Sequence, residues 1–365
     1  MGHRPPTAVV TWAPGRINLI GEHTDYSGGL VLPAAIQFGI TLEARGAADT
    51  ISLASSQFGA AETLAADGSG PAARGWARYA QAVAVELGLL GRPPLGLVGS
   101  LSSDLPAGSG LSSSAALEVA IALALCSVSG FELEPLELAL ACQRAELRAV
   151  GVPCGILDQA ACVLGQDGFA ILLDCATLEH RAIPVPASAG LLIVDSGVER
   201  SLENTAYAER RGQLEQALWL VGAERSTEVD TAALDGLDEL SARRLRHVVT
   251  ENARVVEFAT ALGRDDLAAA GRLLSASHAS LRDDYEVSVP ELDLLVRLAV
   301  EAGAHGARLL GGGFGGSVLV LAEAERISEI GRIVGAEYRR QIRKGGGALT
   351  VRASAGASYR LRAQA

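Results

Sequence analysis

Lysine is almost absent from this 365-residue chain, in which Lys344 is the only lysine among 31 lysine and arginine residues. A P-loop needs a lysine after its glycines, and a protein kinase needs one on an early strand, so both kinds of phosphate site are excluded. Positive charge is also outnumbered, because 42 acidic residues give a net charge of -11. A nucleic-acid-binding face is basic, so we expect no nucleic-acid partner.

Cysteine pairs and long apolar runs are scarce as well. The five cysteines include no Cys-x-x-Cys pair, which favours buried thiols in a reducing compartment over disulfides or zinc. The start of the chain lacks an apolar signal core, and the longest apolar run, residues 119–128, is too short to span a bilayer. We therefore expect a cytoplasmic protein with no membrane partner.

Strand-like and helical patterns alternate in both halves, which indicates an α+β protein long enough for two domains. A boundary is expected near residue 190, giving domains 1–190 and 191–365. Strands are expected at residues 8–12, 39–44, 95–101, 170–173, 191–194, 306–310, 317–321 and 347–353. Helices are expected at residues 75–89, 115–128, 136–150, 203–222, 241–262, 265–281 and 290–303, with one more before the last strand.

Residues 15–26 concentrate charged side chains between glycines. Arg16, Glu22, His23 and Asp25 lie there. Carboxylates accept hydrogen bonds from sugar hydroxyls, and a guanidinium supplies donors in a fixed fork. The pattern suits a loop around a small polyhydroxylated ligand. A charged turn between two strands is the alternative.

Residues 106–116 form a glycine- and serine-rich turn that leads directly into an apolar helix. Gly108 and Gly110 let the backbone approach a ligand, and a helix that begins near Ser113 directs unpaired N–H groups to the same place. These features predict an anion site in which Ser112, Ser113 and Ser114 bind phosphate oxygens or a metal. A flexible loop or a plain helix cap is the alternative.

Residues 311–316 form a third glycine cluster that formally fits the dinucleotide-binding pattern. A dinucleotide-binding turn should open a helix, whereas Ser317 begins a strand-like run. We therefore expect a tight turn between two strands.

Asp158 is an acid in an otherwise apolar stretch, residues 154–159. A buried carboxylate needs a partner, and Arg16 is the natural cation for it. An aspartate that caps a helix is the alternative.

These segments resemble, in the right order, the motifs of galactokinases, which are members of the GHMP superfamily of small-molecule kinases. The resemblance extends over nearly the whole chain and includes Tyr207. It departs from the usual pattern at Leu157, where Met is usual, and at Gly312 and Ser317, where Ala and Cys are common. It implies a ribosomal-S5-like N-terminal domain and a ferredoxin-like C-terminal domain, with the active site in the cleft between them.

The resemblance also implies a role for each matching residue. Asp158 would take a proton from the anomeric hydroxyl, late or together with phosphoryl transfer, and Arg16 would stabilise the transition state. The sugar would be held by Glu22, His23, Thr24, Asp25, Gly155 and Tyr207. The nucleotide would be held by Ser56, Trp76, Tyr79, Gly108, Ser109, Gly110, Leu111, Ser112, Ser113 and Ser114. Mg²⁺ would be bound by Ser114 and Glu146.

Two of these assignments have simple structural alternatives: Glu146 fits an exposed helix charge, and the pair Trp76 and Tyr79 fits core packing. The resulting hypothesis is a monomeric kinase that uses ATP and Mg²⁺ to convert D-galactose to galactose 1-phosphate. One alternative is a related sugar-1-kinase for arabinose, galacturonate or N-acetylgalactosamine. Another is a catalytically silent sugar and ATP sensor, which the intact serine turn, Arg16 and Asp158 disfavour.

Overall fold

The computed structural model describes residues 8–55, 57, 59–106, 110–151, 154–199 and 203–362. Its strands are β1 (Ala8–Asn18), β2 (Leu30–Val31), β3 (Pro33–Ala47), β4 (Thr50–Ser55), β5 (Gly59–Ala65), β6 (Gly96–Ser103), β7 (Phe169–Asp174), β8 (His180–Pro184), β9 (Ala189–Asp195), β10 (Gly306–Leu310), β11 (Ser317–Glu323), β12 (Ala348–Val351) and β13 (Ser358–Arg362). Its helices are α1 (Ala77–Leu89), α2 (Ser113–Ser129), α3 (Pro135–Val150), α4 (Leu157–Leu164), α5 (Glu203–Leu220), α6 (Glu239–Gly263), α7 (Leu267–Asp283), α8 (Pro290–Glu301) and α9 (Ile327–Ile342).

A six-stranded sheet in the order β13-β1-β3-β6-β4-β5 dominates the first half. All its pairings are antiparallel except β4 with β6. Helix α2 lies against β1 and β3 and is apolar almost all round, so it is buried along most of its length. The start of α2, including Ala115, is therefore fixed within the core.

A four-stranded antiparallel sheet in the order β10-β11-β9-β12 organises the second half. Strands β9 and β11 are apolar at nearly every position, because helices α7, α8 and α9 contact this sheet. A small third sheet, β2-β7-β8, lies beside the end of β1.

One apolar cluster joins the two halves. Ile17 and Leu19 of the first half pack there with Phe258, Leu274 and Leu319 of the second. Burying one such side chain stabilises the folded protein by about 1.5–3 kcal/mol. The cluster therefore fixes the end of β1, and the loop that follows it, against the second sheet.

The α+β architecture and every strand and helix expected from the sequence are present, with ends displaced by up to several residues. The expectations omitted β2, β4, β5, β8, β13 and α4. The domain boundary near residue 190 stays a prediction. Strand β9 opens the second sheet close to that point, whereas β13 returns to pair with β1.

Candidate active site

A cavity of about 520 Å³ opens between the two halves. Residues from the loop after β1, from the start of α2, from the segment before α4 and from the turn after β10 surround it. The predicted site residues that line it are Arg16, Glu22, His23, Asp25, Gly110, Leu111, Ser112, Ser113, Ser114, Gly155, Asp158 and Tyr207.

Arg16 and Asp158 form an ion pair at the centre of this cavity. Both Nε and a terminal nitrogen of Arg16 lie 2.7 Å from Oδ1 of Asp158, and the other terminal nitrogen donates to the Gly110 carbonyl at 2.8 Å. Ser112 donates its hydroxyl to Oδ2 of Asp158. Asp158 is the second residue of α4. Its carboxylate accepts hydrogen bonds from Arg16, the cation expected from the sequence, and from the hydroxyl of Ser112.

The turn before α2 is shaped for an anion. Gly110 and Ser112 have φ values of 72° and 56°, the left-handed region that a serine rarely adopts. This conformation turns the chain so that α2 begins at Ser113, with its first N–H groups at the cavity. Such a helix start attracts negative charge through its dipole and its unpaired N–H groups.

Ser114 and Glu146 bring two oxygens together beside that helix start. The Ser114 hydroxyl donates to Oε1 of Glu146 at 2.7 Å, and Gln159 donates to Oε2 at 2.5 Å. Burial, and then the charge of Asp158, raise the pKa of Glu146. Among the described residues no three His, Cys, Asp or Glu side chains converge as a metal cluster. Mg²⁺ commonly takes only one or two protein oxygens and keeps waters and phosphates, so this oxygen pair fits it.

Glu22 is a buried carboxylate with strong donors around it. Oε1 accepts from the Gly311 N–H at 2.8 Å and from Arg308 at 3.1 Å, while Oε2 accepts from Asn18 at 3.1 Å. Burial alone would raise the pKa of Glu22, but Arg308, Gly311 and Asn18 outweigh it and lower the pKa. Glu22 is therefore an acceptor at neutral pH.

Asp25 and His23 are the other two residues of the loop that line the cavity. Burial, followed by the charges of Asp158 and Glu22, raises the pKa of Asp25 to about 7. Burial also lowers the pKa of His23 to about 3, so its ring is neutral. Nδ1 of His23 lies 2.8 Å from the Tyr26 hydroxyl, and its Nε2 has no hydrogen-bond partner within the described residues. A ligand with several hydroxyl groups would satisfy these atoms.

Aromatic rings pack around His23 at one wall of the cavity. The Tyr207 ring lies 5.7 Å from the rings of both His23 and Tyr26, and the Tyr26 hydroxyl lies 2.8 Å from that of Tyr285. Tyr207 comes from α5, so the second half supplies this wall.

The third glycine cluster is a turn between antiparallel strands β10 and β11, as expected. Gly313 has a φ of 80° and a Cβ there would crowd Val287, so glycine is required. The turn brings Gly311 and Gly312 into the lining of the cavity.

Some predicted site residues lie elsewhere. The hydroxyl oxygen of Thr24 lies 2.8 Å from the Gly21 carbonyl and 2.7 Å from the Leu30 carbonyl, so its one proton is donated within the loop. Trp76 and Tyr79 pack against the core of the first half and are not in the cavity lining. Their nucleotide role stays a prediction, and Ser56, Gly108 and Ser109 lie outside the described residues.

Several residues of the site were missed by sequence reasoning. Arg308 is fully buried on β10 and reaches Glu22, while Gln159 bridges Glu146 to the buried Glu118. Two signals in the sequence could have identified them: Arg308 lies in an apolar strand, and Glu118 lies in an apolar helix. Val198 also lines the cavity, from an apolar position that carries no such signal.

Comparison with known families agrees with this architecture. Residues 77–166 match the family "GHMP kinases N terminal domain" and residues 258–340 match "GHMP kinases C terminal". Residues 1–45 match "Galactokinase galactose-binding signature". These three matched regions contain the charged loop and both glycine-rich turns.

Individual proteins and structures extend the match. A galactokinase of Pyrococcus furiosus is 40% identical over 89% of this chain and 92% of its own length. The crystal structure of a Lactococcus lactis galactokinase complexed with galactose is 33% identical, with a TM-score of 0.91 over 96% of this chain and 95% of that one. A mevalonate kinase of Methanococcus jannaschii shares the fold, with 19% identity and a TM-score of 0.69 over 94% of this chain and 98% of that one.

The fold and the cleft define a GHMP kinase with N- and C-terminal domains. Such an enzyme is a small-molecule phosphotransferase. The chain belongs to the galactokinase family and is a sugar kinase. Within the described part of the chain, every helix is too short or too polar to cross a bilayer.

Proposed function

We propose that this enzyme transfers the γ-phosphoryl group of ATP to the anomeric hydroxyl of D-galactose, giving galactose 1-phosphate and ADP. The observation that supports this most directly is the position of Asp158. Its carboxylate bonds to Arg16 and to Ser112. Arg16 lies near the end of β1, just before residues 19–29, which we name the sugar loop, and Ser112 lies at the start of α2. An acceptor hydroxyl and a terminal phosphate held in these two places would meet beside Asp158.

The start of α2 holds the phosphates in this proposal. Backbone N–H groups and the hydroxyls of Ser112, Ser113 and Ser114 take the place of the lysine that the loop lacks. Ser114 and Glu146 would hold Mg²⁺, which when bound neutralises charge on the phosphate oxygens. Since burial raises the pKa of Glu146, a cation beside it would favour its ionised, metal-binding form.

The sugar loop orients the acceptor. Glu22 and Asp25 accept hydrogen bonds from sugar hydroxyls, His23 offers its unpartnered Nε2, and Tyr207 forms the wall. Asp158 accepts the proton of the anomeric hydroxyl as that oxygen bonds to phosphorus and the bond to ADP breaks. Arg16 stabilises the negative charge that develops there.

A coupled ADP-release assay over a panel of sugars tests the proposal. Galactose should be used well ahead of arabinose, galacturonate and N-acetylgalactosamine. Preference for another sugar of the panel would change the proposed substrate and leave the proposed phosphoryl transfer unchanged. Binding of sugar and ATP without ADP release would contradict the proposed reaction. The monomeric state and cytoplasmic location stay predictions.

A further inference from the structure

The sugar loop is held in place by the second half of the chain. The Gly21 N–H donates to Oε1 of Glu251 at 3.1 Å, and the Glu22 carbonyl lies 3.1 Å from Nε2 of His247. Both partners belong to α6 and are fully buried. The conformation of the loop therefore depends on residues more than 200 positions away.

Arg308 makes the most extensive of these contacts. It is fully buried on β10, and its Nε donates to the Leu19 carbonyl at 2.8 Å. One terminal nitrogen donates to the Asn18 carbonyl and, at 3.1 Å, to Oε1 of Glu22. The other donates to the Leu309 carbonyl at 2.7 Å. A single planar guanidinium thus holds two backbone carbonyls and the carboxylate of the loop.

The backbone explains why the loop needs this donor. The Leu19 N–H donates to the Leu32 carbonyl, and the C=O and N–H of one trans peptide point in opposite directions, so the Asn18 carbonyl points away from that neighbouring strand. On the side to which it points, the described part of β13 pairs with β1 only over Ala8–Trp12 and supplies no donor to Asn18. A buried carbonyl without a donor costs about 1–3 kcal/mol. Arg308 supplies the missing hydrogen bond at the point where β1 ends and the sugar loop begins.

The same contacts determine how Glu22 can meet a sugar. A carboxylate has about four acceptor positions. Among the described residues, Arg308 and Gly311 fill those of Oε1 and Asn18 fills one on Oε2. One position on Oε2 remains for a sugar hydroxyl, on a side chain that cannot rotate without breaking the other bonds.

We propose that Arg308 is a positioning residue for the sugar, fixing the loop backbone and Glu22 so that Glu22 presents its remaining acceptor position to one sugar hydroxyl. This proposal rests on the proposed function only in taking the ligand of the loop to be a sugar. Arg308 also lies three residues before Gly311, so the same strand leads into the glycine turn whose N–H donates to Glu22.

Arg308→Lys and Arg308→Gln test the proposal in the full-length enzyme. Lysine lacks the rigid planar fork of the guanidinium, and the glutamine amide has only two N–H donors, so neither reproduces the contacts of Arg308. We expect KM for the sugar to rise on the order of tenfold or more, as for loss of hydrogen bonds to a charged group, with KM for ATP within about twofold. Isothermal titration with the sugar alone should show the same loss of affinity.

Arg92→Lys is the matched control. Arg92 is also buried and donates to three backbone carbonyls, those of Ala66, Pro93 and Leu95, and none of these residues lines the cavity. A role in folding alone would lower the amount of active enzyme and leave both KM values unchanged in the Arg308 variants. That result would overturn the proposal, as would failure of both Arg308 variants to fold when Arg92→Lys folds.

The proposed function is decided separately. The wild-type enzyme is first assayed over the sugar panel, and the Arg308 variants are then measured with the sugar it prefers. A preference other than galactose corrects the substrate, whereas an unchanged sugar KM in the variants refutes the role of Arg308.

Discussion

The carboxylate of Asp25 occupies the space in which a side chain at Gly155 would begin. A Cβ placed on Gly155 would lie 2.7 Å from the Cβ of Asp25 and closer still to its carboxylate. Gly155 has no positive φ that would call for glycine. Its small size is therefore what lets the loop after β1 approach the segment before α4.

Gly155→Ala should displace Asp25 and weaken sugar binding. We expect the sugar KM to rise about tenfold or more, since a hydrogen-bonded carboxylate leaves its place, with little change in KM for ATP. Steady-state kinetics with each substrate varied measures both values. Gly88→Ala on α1 is the control, because a Cβ there has open space around it. An unchanged sugar KM in Gly155→Ala would show that Asp25 does not contact the sugar.

Asp158→Asn should abolish turnover while the sugar and ATP still bind. The amide cannot take the proton of the acceptor hydroxyl, and loss of a general base commonly costs about 10²–10⁴-fold. ADP release measures turnover, and isothermal titration measures binding. Asp167→Asn is the control, because Asp167 forms an exposed ion pair with Arg352 at the surface. Turnover near that of the wild type in Asp158→Asn would rule out the proposed role.

Sugar affinity should depend on pH through Asp25. Its pKa of about 7 means that it is protonated at about pH 6 and ionised at about pH 8 in the free enzyme. Sugar hydroxyls donate to the carboxylate, so binding favours the ionised form and releases a proton at low pH. The dissociation constant should therefore fall as pH rises toward 8, by up to about tenfold per unit below pH 7.

Three other titratable groups that we propose to contact the sugar do not change charge over this pH range. His23, with a pKa of about 3, stays neutral, Glu22 with its lowered pKa stays ionised, and Tyr207 with its raised pKa stays neutral. Isothermal titration in buffers of different ionisation enthalpy counts the protons released. Asp25→Asn should bind weakly and without this pH dependence. Equal wild-type affinity at both pH values would contradict the expected titration.

Glu146→Ala should weaken the response to Mg²⁺ more than the affinity for sugar. The variant loses one of the two oxygens that lie together beside α2. We expect the midpoint of a Mg²⁺ titration of activity to rise about tenfold or more, with the sugar dissociation constant unchanged. Glu132→Ala removes the same charge from an exposed position near the start of α3 and is the control. An unchanged midpoint would remove Glu146 from the metal site.

Local patterns were enough to predict much of this fold. The helix α2 is recognisable from the length of its apolar run, and the amphipathic helices α6, α7 and α8 are recognisable from the spacing of their apolar residues. Strands β4 and β5 do not, because small and polar residues dilute their alternation. Strand β13 is a short edge strand whose partner β1 lies about 350 residues earlier, and no local pattern encodes that pairing.

The sequence was enough to predict many residues of the site, but not the contacts between them. Glycine density and charge identified the three turns and Asp158. Spacing along the chain could not show that Ser112 bonds to Asp158, 46 residues away, or that Arg308 reaches Glu22. The first contact depends on how α2 packs against α4 within the first half, and the second depends on how the two halves pack against each other. The sequence specifies both only through the folded core.

Ser112 allows its hydroxyl and its backbone conformation to be tested separately. With a φ of 56° it is in the left-handed region, which costs a non-glycine residue about 1–2 kcal/mol. Ser112→Gly removes the hydroxyl and the strain together, whereas Ser112→Ala removes only the hydroxyl. We expect both variants to slow turnover about tenfold or more, because each loses the hydrogen bond to Asp158. Thermal melting should show Ser112→Gly to be at least as stable as Ser112→Ala. Wild-type turnover in Ser112→Gly would instead mean that the serine contributes only the shape of the turn.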